Sequence, residues 1–266
     1  MSAVASLTQS QKQNAGVILQ RCIVKGITNH FSQGSILSIA LKEGNLNPAA
    51  REVSYKSTSN ERIRTIFSVT KKLADAQLTA LKGNDIAFFN YIYNGVAGNG
   101  ANDGYKFRGR GYNQLTGRAN YRSIGKKIGV DLEANPDLLS TDPKVAADAL
   151  IQYFIDAFAT AKRLGKLAQY NSTGINDFKN LNDSLGAFYH ANAGWGHTKA
   201  QLDADPTGGL AKAKSTVADF YAVVSKGISE NKAASGGGLF FLIALAVAVA
   251  NRKKIAAFLG KQQTNK

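Results

Sequence analysis

The sequence predicts a mainly α fold. Three observations lead there: apolar residues recur at helical spacing in one segment after another, the intervening loops are rich in Gly, Asn and Ser, and no run of alternating apolar and polar residues argues for an extended sheet. Residues 11–25 show the helical spacing, and so do residues 35–43 through Ile36, Ile39 and Ala40. Asn60 followed by Glu61 marks a helix start, and Ile63, Ile66, Phe67 and Thr70 continue its face. Residues 85–93 are short and aromatic. Thr141-Asp142-Pro143 is another N-terminus, with proline in the first turn; Ala146, Leu150, Tyr153, Phe154, Ala157, Phe158 and Ala161 then keep one apolar stripe running to Gly165. A further helix is expected over 177–190, through Phe178, Leu181, Leu185 and Phe188. Residues 206–232 open on Pro-Thr-Gly-Gly and continue as a helix rich in Lys and Ala, either the last helix of the domain or a stalk, with a boundary near 205–235.

Residues 233–250 carry no charge, and their centre at 239–250 is strongly apolar. Eighteen helical residues span about 27 Å, near the short limit for a bilayer. A hinge of Ser235 and three glycines precedes the apolar centre, and Asn251-Arg252-Lys253-Lys254 follows it as a positive stop. The expectation is a single transmembrane helix at 236–252 with a basic tail at 253–266; a buried helix packing back on the domain is the alternative. The N-terminus has no secretory pattern, because its apolar stretch is interrupted by Gln20, Arg21 and Lys25.

At 266 residues the chain holds one sizeable domain and an appendage. The one cysteine, Cys22, excludes an internal disulfide framework and reads as a small core residue. The formal charge is +15, of which five basic residues and no acid follow residue 232; residues 1–232 hold 28 basic against 18 acidic side chains, or +10. Such a chain is drawn to polyanions. The basic residues are scattered without a recognition-helix, zinc-finger or RNA-binding pattern, so bacterial cell wall is preferred and no nucleic-acid partner is expected. His190 and His197, seven apart with no cysteine nearby, fit no common zinc spacing and read as structural. No phosphate-binding loop or dinucleotide fingerprint occurs, so neither a cofactor nor a metal is expected.

Residues 105–117, Tyr-Lys-Phe-Arg-Gly-Arg-Gly-Tyr-Asn-Gln-Leu-Thr-Gly, followed by Arg-Ala-Asn-Tyr at 118–121, are the most informative stretch. Glycines, guanidiniums, amides and a hydroxyl packed this densely are poor core material and good lining for a groove that grips a polar polymer. The stretch resembles the Phe/Tyr-Arg-Gly-Arg-Gly-x-x-Gln-Leu-Thr-Gly-x-x-Asn-Tyr pattern of family 19 glycoside hydrolases, the chitinases and related phage and bacterial endolysins. The resemblance is specific over residues 98–121, weaker from 35 to 196, and absent from the first thirty residues and beyond about 205. It implies a lysozyme-like two-lobed catalytic domain over 1–205, with residues 206–235 as helical stalk or linker. The disulfides and cysteine-rich chitin-binding module of secreted plant enzymes are missing.

Inverting hydrolysis of a β-1,4 glycosidic bond needs a carboxylic acid to protonate the leaving oxygen and a carboxylate to activate water on the opposite face. Glu43 lies at the end of the helix over 35–43, beside its terminal carbonyls, where the helix dipole disfavours a negative charge; that is the direction a general acid needs, by roughly 0.3–1 kcal/mol. The resemblance matches Glu43 to the family's catalytic acid, with Lys42 standing where the family has histidine; pointed inward, Lys42 would oppose that effect. The same resemblance assigns the base to Glu52, on the loop beyond Pro48, for which a surface ion pair with Arg51 or Arg110 is the alternative.

Gln114 and Thr116 lie two apart and face one way in an extended stretch, with Leu115 turned to the core. The resemblance gives them, with Asn120 and Asn192, the task of holding water and sugar hydroxyls. Arg110 either orients a carboxylate or touches sugar, Tyr105 and Tyr112 can stack on sugar rings, and Trp195 lines a cleft or packs. The expected activity is a glycosidase of the lysozyme or endolysin type, with peptidoglycan as substrate and chitin as the alternative. Lytic transglycosylation by one glutamate and an inactive wall-binding or virion structural protein are the rivals. The expected location is membrane-associated through 236–252, in the virion membrane of a lipid-containing phage as one setting.

Overall fold

In the computed structural model, which describes residues 7–205 and 208–233, eleven α-helices account for most of those residues. In chain order they are α1 (Gln9–Val24), α2 (His30–Gly44), α3 (Asn60–Ile66), α4 (Asp75–Lys82), α5 (Asp85–Ile92), α6 (Arg118–Ile128), α7 (Leu138–Thr141), α8 (Pro143–Arg163), α9 (Leu181–Ala193), α10 (Lys199–Asp203) and α11 (Gly209–Ala233). The only ladders among the described residues are two isolated antiparallel bridges, Arg51 with Arg110 and Arg110 with Leu115.

Helix starts follow local capping chemistry. Thr8 accepts from the Gln11 amide while the Gln11 side chain returns to the Thr8 N–H, which sets the start of α1 two residues before the apolar spacing suggests. Asp142 accepts from the amides of Lys144 and Val145 and fixes α8 at the proline. The helix expected from 177 begins instead at Leu181, because Asn180 takes the cap and Asp177 is spent on Thr173.

Two units form around separate cores: Pro48–Ala149, and the described residues of Met1–Asn47 with Leu150–Lys266. In the latter, α2 is the central helix. Ile36, Leu37, Ile39 and Ala40 are each at most 1% exposed, and burying a side chain of this kind stabilises by about 1.5–3 kcal/mol. Buried hydroxyls recur along α2 at intervals of three. Ser32 Oγ donates to Ile175 O (2.5 Å), Ser35 Oγ meets Ser184 Oγ (2.8 Å), and Ser38 Oγ donates to Ala213 O (2.6 Å). Small side chains let α9 and α11 approach closely: a Cβ at Gly34 would lie 3.3 Å from Tyr221 N. Helix α11 packs on α2 and α9 through Leu210, Ala213, Val217, Phe220 and Val224. Trp195 packs too, with Nε1 donating to Ala157 O (2.9 Å) and its ring against Phe158 and His190.

The core of the unit over 48–149 gathers Ile63, Leu78, Phe88, Phe89 and Ile92, with Tyr55, Phe67, Tyr93 and Tyr105 against it. Helix α6 adds Tyr121, edge-on to Phe107 at 5.3 Å. Between α5 and α6 the residues 105–117 run as successive turns, not as an extended stretch.

The expectation of a C-terminal transmembrane helix, and with it the membrane-associated location, is corrected. Among the described residues no helix is long and apolar enough to cross a membrane. The longest, α11, has Lys212, Lys214 and Asp219 along its length. The segment 236–252 itself lies outside the described residues.

Candidate functional site

Glu43 stands in the last turn of α2, which ends because Asn45 and Leu46 both take left-handed backbone, φ 53° and 52°. For a leucine this conformation is costly. Complete burial of Leu46 and a bond from Asn14 Nδ2 to its carbonyl (2.8 Å) hold it, and Gln11 Nε2 donates to both the carbonyl and the side-chain oxygen of Asn45. Helix α1 thus fixes the turn that carries Glu43.

The Glu43 carboxylate, 23% exposed, has two near neighbours on Oε1: Lys42 Nζ at 2.5 Å and Asn192 Nδ2 at 2.7 Å. Lys42 points inward, its ammonium 5.1 Å from the centre of the Tyr189 ring. Above it the chain has no room: a Cβ at Gly209 would meet Lys42 Cε at 2.6 Å and Tyr189 Oη at 2.8 Å. Asp205 ties this corner together, accepting from Tyr189 Oη (2.8 Å) and from Leu210 N (2.7 Å). Asn192 is held from α8, where Tyr153 Oη donates to Ala191 O (3.0 Å). Burial, and then the charge of Glu43, push the Tyr153 phenol up from its ordinary value, so it remains a donor.

Glu52 lies in the other unit with different partners. Its carboxylate accepts from Tyr93 Oη at 2.9 and 2.7 Å on its two oxygens, and from Tyr55 Oη at 2.9 Å on Oε1. Arg110, one of the two cations expected beside it, is committed elsewhere. That guanidinium is 3% exposed, ion-paired to Asp137 (2.9 Å), and donates to Lys106 O and to Tyr121 Oη. Tyr105 and Arg108 line a small pocket with Glu52, Ser54, Asp85 and Phe89. The Arg108 guanidinium stacks 4.0 Å from the Tyr105 ring centre.

The turns at 105–117 meet Glu52 through the backbone, Glu52 N donating to Gly109 O at 3.0 Å. Gln114 takes φ 52° and its amide nitrogen donates to Ala50 O and Gly111 O, both at 3.0 Å. Gly109 is the contact point: a Cβ there would lie 3.0 Å from Gln114 Oε1 and 3.4 Å from Thr116 Oγ1. Gln114 and Thr116 therefore both flank Gly109, through a folded turn. Asn120, exposed on the first turn of α6, donates to Thr116 O (2.7 Å). Tyr112, fully buried with its hydroxyl unpartnered, is a core residue.

One group of residues thus lies around Glu43 (Lys42, Asn192, Tyr153, Tyr189) and another around Glu52 (Tyr55, Tyr93, Tyr105). The tyrosines that grip Glu52 are absent from the sequence expectations. Tyr55 is three residues away in a loop, a spacing with no fixed meaning outside a helix, and Tyr93 is 41 residues away.

His190 is fully buried in α9, with Nε2 2.8 Å from His197 O and Nδ1 2.9 Å from Tyr170 Oη. A carbonyl accepts, so Nε2 carries the proton and Nδ1 accepts from the phenol. Burial lowers the imidazole from its ordinary value of 6.5. A base depressed on folding contributes stability that is complete above its unfolded value and lost as pH falls. Denaturant titrations are expected to show stability declining as pH drops below 6.5, with that part of the decline missing in His190→Gln. Asp103, Glu133 and Asp177, all held below the usual carboxylate value, add a second loss only below about pH 4.

Residues 84–164 match the sequence model of the glycoside hydrolase family 19 described as chitinase class I. Curated proteins are similar over shorter stretches: Chitinase 8 of Oryza sativa subsp. japonica, 45% identical over 51 residues (19% of this chain, 20% of that protein); the Acidic 27 kDa endochitinase of Solanum lycopersicum, 46% over 54 residues (20% and 22%); and Endochitinase 1 of Theobroma cacao, 54% over 43 residues (16% and 13%). The chain spans no more than 22% of the length of these relatives. The matches bear out the resemblance to family 19, whose members are glycosidases. The family match takes in α5 to α8 and all of the turns at 105–117; Glu43, Glu52 and Asn192 lie outside it.

Proposed function

We propose, from the premise that residues 84–164 are a family 19 glycoside hydrolase segment, that the chain is a glycosidase cleaving β-1,4 bonds in polymers of N-acetylated aminosugars. The observation that supports this reading is the bond from Glu52 N to Gly109 O, which joins the segment of a carboxylate gripped by two phenols to the turns that lie inside the family match. Glu52 serves as the base that activates water, and Glu43 as the acid that protonates the leaving oxygen, in an inverting reaction. Gln114, Thr116, Asn120 and Asn192 supply the amides and hydroxyl that hold sugar and water, while Tyr105 presents an aromatic edge to the pocket beside Glu52.

Peptidoglycan is the preferred polymer, because a chain of net charge +15 is attracted to an anionic wall; a lytic, endolysin-like role follows from that choice. Chitin is the second reading, favoured by the names of the similar plant proteins, which are chitinases and endochitinases. The test is release of reducing ends from purified peptidoglycan and from chitin by the full chain. Peptidoglycan cleavage is expected. Activity on chitin alone overturns the substrate, activity on neither overturns the glycosidase, and anhydro-sugar ends with near-normal turnover in Glu52→Gln replace the two-carboxylate scheme by transglycosylation.

A further inference from the structure

We propose that Tyr55 and Tyr93 are positioning residues that clamp and aim the Glu52 carboxylate; the catalytic consequence rests on the reading of Glu52 as base given above. The clamp has three contacts and two protons. Tyr93 Oη reaches both carboxylate oxygens, at 2.9 and 2.7 Å, and Tyr55 Oη reaches Oε1 at 2.9 Å. A carboxylate offers about four lone-pair directions. With Tyr55 fixed on Oε1 and the Tyr93 proton spanning the pair, Oε2 keeps acceptor capacity in reserve, the capacity a base needs to take a proton from water.

The phenols are themselves fixed. Tyr55 packs against Phe67, Phe88 and Phe89, with ring centres 5.2, 5.5 and 6.0 Å away, and Tyr93 stacks on Phe89 at 6.2 Å with the rings 14° from parallel. Neither hydroxyl can swing away without disturbing the aromatic core of its unit. Burial, and then the charge of Glu52, hold both phenols well above the ordinary tyrosine value, so each stays a donor across the working pH range. The other charged groups lining the pocket beside Glu52 are Arg51, Arg108 and Asp85, and Asp85 already accepts from Ser54 Oγ at 2.6 Å.

A donor that bonds to a carboxylate favours its ionised state, so removing it makes the group titrate at higher pH. The test is a carbon-13 titration of the Glu52 carboxyl in the full chain, in the parent, in Tyr93→Phe, in Tyr55→Phe and in the double variant; phenylalanine keeps the ring packing and removes only the hydroxyl. The midpoint is expected to rise by about one unit in Tyr93→Phe, which loses contacts to both oxygens, and further in the double variant. On the polymer that the parent cleaves, kcat falls, KM is preserved, and the acid limb of the pH–rate profile moves up by the same interval as the midpoint. An unchanged midpoint in the double variant overturns the clamp. Should Tyr93→Phe not fold, Tyr55→Phe carries the same test with the smaller shift, and an unmoved midpoint there overturns it equally. A shifted midpoint in a chain whose parent cleaves neither polymer sinks the proposed glycosidase and leaves the clamp standing; polymer cleavage with an unmoved midpoint does the reverse.

Discussion

Glutamine in place of Glu43 is expected to lower kcat by about 10²- to 10⁴-fold with KM little changed, the span typical of losing a general acid. The two side chains match in size, and Asn192 Nδ2 can still donate to the oxygen it meets at 2.7 Å. What disappears is the acidic proton and the partner of Lys42. Because Lys42 and Glu43 remain 19% and 23% exposed, water solvates the orphaned ammonium, and the fold should tolerate the change. Initial rates of reducing-end release, with melting curves as a folding control, check this. Rates equal to the parent remove Glu43 from the chemistry.

The largest stability loss is expected from Gly104→Ala, about 3 kcal/mol in urea denaturation. A Cβ at Gly104 would lie 2.1 Å from Phe89 O, 2.7 Å from Phe89 C and 2.8 Å from Asn90 Cα. All three are backbone atoms in α5, so no rotamer change relieves the overlap; the helix itself has to move. It is not free to do so, because Asn90 Oδ1 accepts from Tyr105 N at 2.9 Å and Phe89 is buried in the aromatic core. Gly165→Ala is the control. That glycine has φ +66° and nothing within 4 Å of its Cβ position, so only the left-handed backbone cost of about 1 kcal/mol applies. Equal losses in the two variants would refute the steric argument.

Much of the helical content was legible because capping is local: Asp142-Pro143 announces α8, and Asn60-Glu61 sits at the start of α3. Misplaced ends came from competing caps, as at Asn180, and from the early stop of α3 at Ile66, where a 3₁₀ turn over Ser68–Lys72 takes over. Resemblance was the route to Asn192, which the fold sets 2.7 Å from Glu43 across 149 residues. Periodicity misread 105–117, since a period of two presumes extended backbone and Gln114 is left-handed. The grip of Tyr93 on Glu52 left no trace in the sequence, because it depends on how α5 packs. Lys42 was visible as a departure, and its inward pairing with Glu43 needed coordinates to see.

The serine-studded face of α2 is also a timetable. Its partners Ser184, Ala213 and Tyr221 lie some 150 to 190 positions further along the chain, whereas residues 48–149 contain their whole core within one uninterrupted stretch. Contacts so distant in sequence form late, and a nascent polypeptide emerging from the ribosome meets them last. The unit bearing Glu52 can mature while translation continues, but the one bearing Glu43 must wait for α11 before Ser38 finds its acceptor.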